Sequence, residues 1–263
     1  MNVGLLGAGH IARALAEGWS LPGERPGKPE GVAFFDVVPD VAAALAADTG
    51  GVAADDAASL VAMSDAVIVA VRPPQVEPLL SDIGPVLGDR ALVSVAAGVP
   101  LARLIAALPA GALAGRVMPN VAAALGLGVF LFVPGTLGDA REGVAMLFAA
   151  AGTVIELEEK QFDLATAVAG CMPGYIALLV EAFVDAGVAR GLPREAAARL
   201  AAAGAHGAAA YVADAGDPER VAAAAATPGG MTAAGIAALE THDIRGAVAA
   251  AVDAAAAQAS RLT

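Results

Sequence analysis

Along the first 158 positions, short apolar runs alternate with stretches of mixed polarity. The runs at residues 2–6, 32–35, 66–71, 91–95, 113–117, 129–133 and 153–157 have strand length. Several are apolar without a break, the pattern of strands covered on both faces of a parallel sheet. Helix-like stretches between them repeat a strand-helix-strand rhythm, which predicts a doubly wound, Rossmann-like α/β domain. Residues 21–31 (LPGERPGKPEG) are rich in Pro and Gly and predict a surface loop before the second strand. After Glu158 the strand-like runs stop, and an alanine-rich helical pattern predicts helices over 160–168, 175–190, 194–212, 218–226, 231–240 and 244–262. Gly191 before Pro193 marks a helix stop and restart. The change of texture divides the chain into a nucleotide-binding α/β domain, 1–158, and an all-α domain, 159–263.

Chemistry enters at the first strand, which runs into Gly7-Ala8-Gly9-His10-Ile11-Ala12 at the head of an amphipathic helix. In this G-x-G-x-x-A pattern Gly7 permits a tight turn, Gly9 admits a diphosphate close to the backbone, and Ala12 lets helix and strand pack closely. The helix N-terminus then offers free N–H groups and a positive dipole end to the anion. Asp36 closes the second strand. A carboxylate there accepts hydrogen bonds from a ribose 2′-hydroxyl and repels a 2′-phosphate, which favours NADH. The segments Ala70-Val71-Arg72-Pro73 and Ala96-Ala97-Gly98 close two further strands, on the edge where open parallel sheets bind ligands. Each feature also has a plainer reading, as a glycine turn, a solvated acid or a surface arginine.

Composition narrows the remaining classes. Hydrophobic residues make up 58% of the 263, but 71 are alanines, so the larger core-forming side chains are a modest fraction. An alanine-faced helical domain buries little apolar area per residue, which predicts a homodimer through the second half. No apolar run of membrane-spanning length is uninterrupted; the stretch 121–138 is broken by Gly126, Gly128, Pro134 and Gly135. The first residues carry no basic segment ahead of an apolar one, and the single Cys171 permits no internal disulfide; both predict a cytoplasmic protein. A formal charge of −12 with scattered cations disfavours nucleic acid as a partner. His10, His206, His242 and Cys171 lack metal-ligand spacing, so no metal site is expected.

With these loops in place the chain resembles the pyrroline-5-carboxylate reductase family. The likeness is carried by GLLGAGHIA, AVRP, SVAAGV, RVMPN at residues 116–120, PGYIALLVEAFVDAGVARGLP at 173–193 and TPGGMTAAGIAALE at 227–240, in that order. It implies a dinucleotide-binding domain, a helical dimerisation domain, homodimers or larger homo-oligomers, and reduction of a small cyclic imine by NAD(P)H. Residue by residue, it implies that Gly7, Ala8, Gly9, His10, Ile11 and Ala12 hold the diphosphate, with Ala70, Val71, Arg72, Pro73, Ala97 and Gly98 beside the nucleotide. Met118, Pro119 and Asn120 would border the nicotinamide. Gly229, Gly230, Met231 and Thr232 fall on the loop that holds the substrate carboxylate, and Thr232 is assigned a hydrogen bond to the substrate nitrogen or carboxylate. Asn120, Val121, Cys171, Met172 and Pro173 complete the implied substrate pocket.

The departures from the family pattern bear on specificity. Where S-G-S-x-P-A-Y is usual the chain has Ala169-Gly170-Cys171-Met172-Pro173-Gly174-Tyr175, and Val121 and Met231 stand at positions often occupied by threonine. Three hydroxyls have become Ala, Cys or Val, which predicts a drier pocket and leaves two outcomes open: slower proline formation, or a different imine. Two rivals remain. A hydroxyacid dehydrogenase generally needs a lysine on the interdomain helix, and only Lys28 and Lys160 exist here. A catalytically idle nucleotide-binding paralogue or regulator would fit the altered pocket. Glu181 and Asp185, spaced i, i+4, read most simply as a solvated or interface face.

Overall fold

A computed structural model, describing residues 1–262, resolves the alternating pattern into an eight-stranded sheet followed by helices. The strands are β1 (Asn2–Leu6), β2 (Gly31–Phe35), β3 (Val52–Ala53), β4 (Ala66–Val69), β5 (Ala91–Ser94), β6 (Leu113–Met118), β7 (Gly128–Val133) and β8 (Gly152–Glu156), in the order β3-β2-β1-β4-β5-β6-β7-β8. Between them lie α1 (His10–Ser20), α2 (Pro39–Thr49), α3 (Ala57–Ala62), α4 (Pro73–Leu87), α5 (Leu101–Ala107) and α6 (Ala140–Ala149). The order reverses between β1 and β4, the switch point at which doubly wound sheets form their ligand crevice.

Side chains alternate across a strand, so each unbroken apolar run supplies two cores at once. Val3 and Leu5 of β1, Ala66 and Ile68 of β4 and Ala91 and Val93 of β5 face one cluster, with Leu15 and Trp19 of α1, Leu45 of α2 and Phe148 of α6. Leu6, Val67, Val69 and Leu92 face the other, with Leu60 of α3, Val76, Leu80 and Ile83 of α4 and Leu104 of α5. Trp19 is fully buried, and its indole N–H donates to the Leu147 carbonyl at 2.9 Å.

Two features of the sheet go beyond the sequence pattern. Strand β3 is only two residues long and both are exposed, too short to stand out as an apolar run. Strand β7 runs antiparallel to β6 because a short connection through a 3₁₀ turn at Val121–Leu125 reverses the chain without a crossover helix. Residues 21–30 form no regular element, yet they are tied down: the Arg25 guanidinium donates to the Ala150 carbonyl at 3.1 Å.

The chain divides into two compact units, one comprising Met1–Cys171 with the chain from Ala255 on, the other Met172–Ala254. The first unit includes α7 (Phe162–Ala165) and a π-helical turn, Thr166–Gly170. The predicted helix over 160–168 is thus split, and its last part is wound more loosely. In the second unit α8 (Met172–Val188) packs on α9 (Arg194–Ala215), followed by α10 (Pro218–Ala225), α11 (Met231–Thr241) and α12 (Ile244–Leu262), which begins there. Helix α8 starts three residues earlier than predicted because Pro173, in its first turn, lacks an N–H that would go unpaired there anyway. The stop at Gly191 is present: its φ is +100°, and the Leu192 N–H returns to the Gly187 carbonyl at 3.1 Å.

Candidate active site and its relatives

All the nucleotide-loop candidates from the first unit lie at one sheet edge, because β2, β1, β4, β5 and β6 are parallel neighbours and their C-terminal ends coincide. Gly7 leaves β1 with φ +98° and its N–H donates to the Phe35 carbonyl at 2.8 Å. A Cβ at Gly7 would stand 2.7 Å from the Ala70 carbonyl oxygen, so the loop and the end of β4 close on one another only because that atom is missing. Gly9 is different. It is the N-cap of α1, and an added Cβ there would meet no protein atom within 4 Å. The first turn of α1 contains no acidic residue and Gly9 supplies no side-chain cap, so the amide end faces open space. Ala12 is fully buried under this turn, Ala8 is buried, Ile11 is half-buried, and His10 is exposed.

Asp36 lies beside this loop, and its position assigns it a task that the sequence did not reveal. Its Oδ2 accepts the Ala8 N–H at 2.9 Å and its Oδ1 accepts the Val38 N–H at 3.0 Å. The carboxylate therefore hooks the glycine loop to the end of β2 while keeping lone pairs for further donors, since an ionised carboxylate has about four acceptor positions. Arg13 of α1 is engaged: its Nη1 donates to Asp48 Oδ2 at 2.8 Å, the main cause that raises its pKa, and Glu17 adds to it.

From β4, Ala70 sits against Gly7, Val71 and Pro73 are half-buried, and Arg72 is exposed with no ion pair among the described residues. Ala97 and Gly98 form the turn between β5 and α5, with Gly98 at φ +70°. Met118 ends β6, and Pro119 and Asn120 behind it are buried. The Asn120 side chain is occupied inside the fold: its Nδ2 donates to the Ala169 carbonyl and its Oδ1 accepts the Val129 N–H, both at 3.3 Å. It clamps the π-helical turn to β7. That turn closes with the Cys171 N–H on the Thr166 carbonyl at 3.1 Å, leaving the free Cys171 thiol half-exposed. Val121 starts the 3₁₀ turn and is exposed.

In the second unit, Gly229 adopts φ +72° and the Gly230 N–H donates to the Thr227 carbonyl at 2.9 Å, making a tight turn into α11. Gly230 is the N-cap and brings no side chain, so the first-turn amides at Met231 and Thr232 are not capped by it. Met231 is 93% exposed and Thr232 is also exposed. Met172 is exposed and Pro173 half-buried at the start of α8. No group of three or more His, Cys, Asp or Glu residues suited to a metal ion occurs among the described residues.

Sequence reasoning missed one polar constellation. Arg116 lies within β6, 3% exposed, and its Nη1 donates to Glu159 Oε1 at 2.8 Å. A charged residue inside the run LAGRVM was the available signal; its partner is 43 positions away and carries no local pattern.

The second unit leaves large apolar side chains uncovered. Among its described residues only Val184 and Ala197 are buried hydrophobics, and Phe183 and Leu200 border a groove of about 470 Å³ between α8 and α9 while roughly two-thirds exposed. Compared with known families, residues 159–262 match pyrroline-5-carboxylate reductase dimerisation, and residues 2–98 match NADP oxidoreductase coenzyme F420-dependent. The first match explains the uncovered faces as surface for a second copy. It also contains Glu159–Val188, the stretch among the described residues long and apolar enough by length and composition to cross a membrane. The chain is 38% identical to the pyrroline-5-carboxylate reductase of Mycobacterium leprae over 280 residues, covering 97% of this chain and 94% of that protein. It is 35% identical to that of Arabidopsis thaliana over 268 residues, covering 100% and 95%. The NADP-bound crystal structure of Plasmodium falciparum pyrroline carboxylate reductase superposes with a TM-score of 0.84 at 27% identity, covering 100% of this chain and 98% of that one. The glycine loop, the α/β sheet and the helical half thus converge, and the chain belongs to the pyrroline-5-carboxylate reductase family.

Proposed function

We propose that this protein reduces a five-membered cyclic imine, 1-pyrroline-5-carboxylate, to L-proline at the expense of a reduced nicotinamide dinucleotide. The observation that carries the reading is the glycine loop: Gly7 pressed against Ala70, and Gly9 facing open space at an uncapped helix N-terminus. Such a seat suits a dinucleotide diphosphate. The bound nucleotide supplies hydride; the protein's part is to hold both reactants and exclude water. An iminium carbon is already electrophilic, so no strong general acid is required. The Pro228-Gly229-Gly230 turn offers amides for a carboxylate, and Thr232, exposed in that first turn, supplies a hydroxyl for the substrate nitrogen or carboxylate. In this reading Val121 and Cys171 of the first unit, and Met172, Pro173 and Met231 of the second, are each assigned to substrate binding, and Met118, Pro119, Asn120, Ala97 and Gly98 to the nicotinamide side of the nucleotide. The domain limits of 1–158 and 159–263 follow the same division of labour, and the lone Cys171 supports a cytoplasmic location.

Asp36 supports NADH over NADPH. Its carboxylate is held at the loop by two backbone amides, and no lysine or arginine occurs between Lys28 and Arg72 to neutralise a 2′-phosphate. Val37, next in the chain, is exposed and apolar. The test is a spectrophotometric assay of both reduced nucleotides against five- and six-membered cyclic imino acids. Turnover of the five-membered imine with NADH as the better donor is expected. Nucleotide binding without turnover of any imine would mark an idle paralogue, and a clear NADPH preference would remove the role of Asp36.

A further inference from the structure

We propose, resting on the reductase reading above, that Glu159 is a positioning residue for imine reduction, acting through Arg116. Its Oε1 accepts two donors at once: Arg116 Nη1 at 2.8 Å and the Leu101 backbone N–H at 3.0 Å. Leu101 begins α5, three residues beyond Gly98 of the nucleotide loop, and Arg116 precedes Met118 by two residues, which puts both side chains on the same face of β6. The Arg116 guanidinium also lies 3.9 Å over the Phe162 ring, and Met118 and Leu101 pack with Ala169 around the cluster formed by Leu131, Val133 and Phe162. Asn120 completes the circuit by donating to the Ala169 carbonyl. One carboxylate oxygen thereby joins the loop after β5, the end of β6 and the helical segment leading into Cys171.

The pair is poorly built for stability alone. Arg116 Nε and Glu159 Oε2 are buried without a hydrogen-bond partner. Only the arginine is buried as a whole, since the Glu159 side chain is 36% exposed and Asp163 Oδ1 stands 4.0 Å from Arg116 Nη2, so the guanidinium bears a desolvation cost that one strong bond offsets only in part. What an apolar pair cannot do is fix the Leu101 amide and the β6 side chain against one directional acceptor. The cluster trades stability for register among three segments that border the reaction.

The test is the Arg116→Met/Glu159→Leu double variant of the full chain, with Glu159→Asp as a charge-preserving companion. The double variant is expected to keep the wild-type oligomer and to bind NADH within about threefold of wild type because the Gly7 to Ala12 loop is untouched, with a lower melting temperature because the Leu101 N–H loses its acceptor. Its kcat with the cyclic imine is expected to fall by about 10- to 100-fold, the scale of a misplacement near 1 Å. Glu159→Asp, which shortens the reach to both donors, is expected to show the same split more weakly. A folded double variant with kcat within about twofold of wild type would reduce the pair to a structural one and overturn the proposal. If the double variant does not fold, Glu159→Asp decides alone, and wild-type kcat in it overturns the proposal equally. Absence of imine turnover in the unaltered chain would instead overturn the reductase reading.

Discussion

Replacing Gly9 by alanine separates the space a ligand needs from the space the fold needs. Gly9 has φ −76° and ψ −167°, a backbone conformation open to any residue, and the added methyl meets no protein atom within 4 Å. Loss of an N-cap glycine costs a few tenths of a kcal/mol or more, while the stiffer unfolded chain returns about 0.4–1 kcal/mol. The melting temperature should therefore stay within about 2 °C of wild type. Gly7→Ala sets the opposite case: φ +98° and a carbonyl oxygen 2.7 Å from the new carbon. The positive φ alone costs about 1–2 kcal/mol, and relieving the overlap brings the total to roughly 2–3 kcal/mol, or about 4–12 °C of melting temperature. Both substitutions should weaken NADH binding, but only Gly9→Ala should do so in a protein of normal stability. A loss of about tenfold or more, equal to about 1.4 kcal/mol, is expected if the methyl occupies the diphosphate seat. Titration of NADH fluorescence at fixed protein concentration, beside thermal melts of the three proteins, reads both quantities. Wild-type affinity in Gly9→Ala would refute the placement of the diphosphate at this helix end.

Other consequences are checked as directly. Trp19→Phe removes the indole donor to Leu147 and leaves that buried carbonyl unpaired beside a cavity, so a loss of about 2 kcal/mol or more is expected in a thermal or denaturant melt. Phe183→Glu places a charge on the uncovered face of α8 and should shift the mass seen by light scattering from oligomer toward monomer; an unchanged mass would exclude this face from the interface. Thr232→Ala deletes the proposed substrate hydroxyl contact and should lower kcat/KM for the imine by about 2- to 12-fold, with unchanged kinetics removing the assignment.

Local chemistry made much of this legible in advance. The unbroken apolar runs that feed both faces of β1, β4 and β5 can satisfy their backbones and bury both sets of side chains only in a covered parallel sheet, so the α/β class followed from periodicity alone. The glycine turn at Gly7 and the stop at Gly191 were equally readable, because positive φ is a property of one residue and its peptide neighbours. Tertiary packing decided what depends on partners distant in the chain. It gave Asp36 the Ala8 amide to hold, turned the Asn120 side chain inward to Ala169 and Val129, and brought Glu159 to Arg116 across 43 positions. It also reversed β7, through a connection whose length and shape no hydrophobic period encodes. The sequence by itself set which residues must be buried and where the chain can turn, since those follow from side-chain hydration and local sterics. Only the folded structure decided which polar groups meet, because hydrogen bonds and ion pairs are short-ranged and directional, and their geometry exists only once the apolar layers have closed.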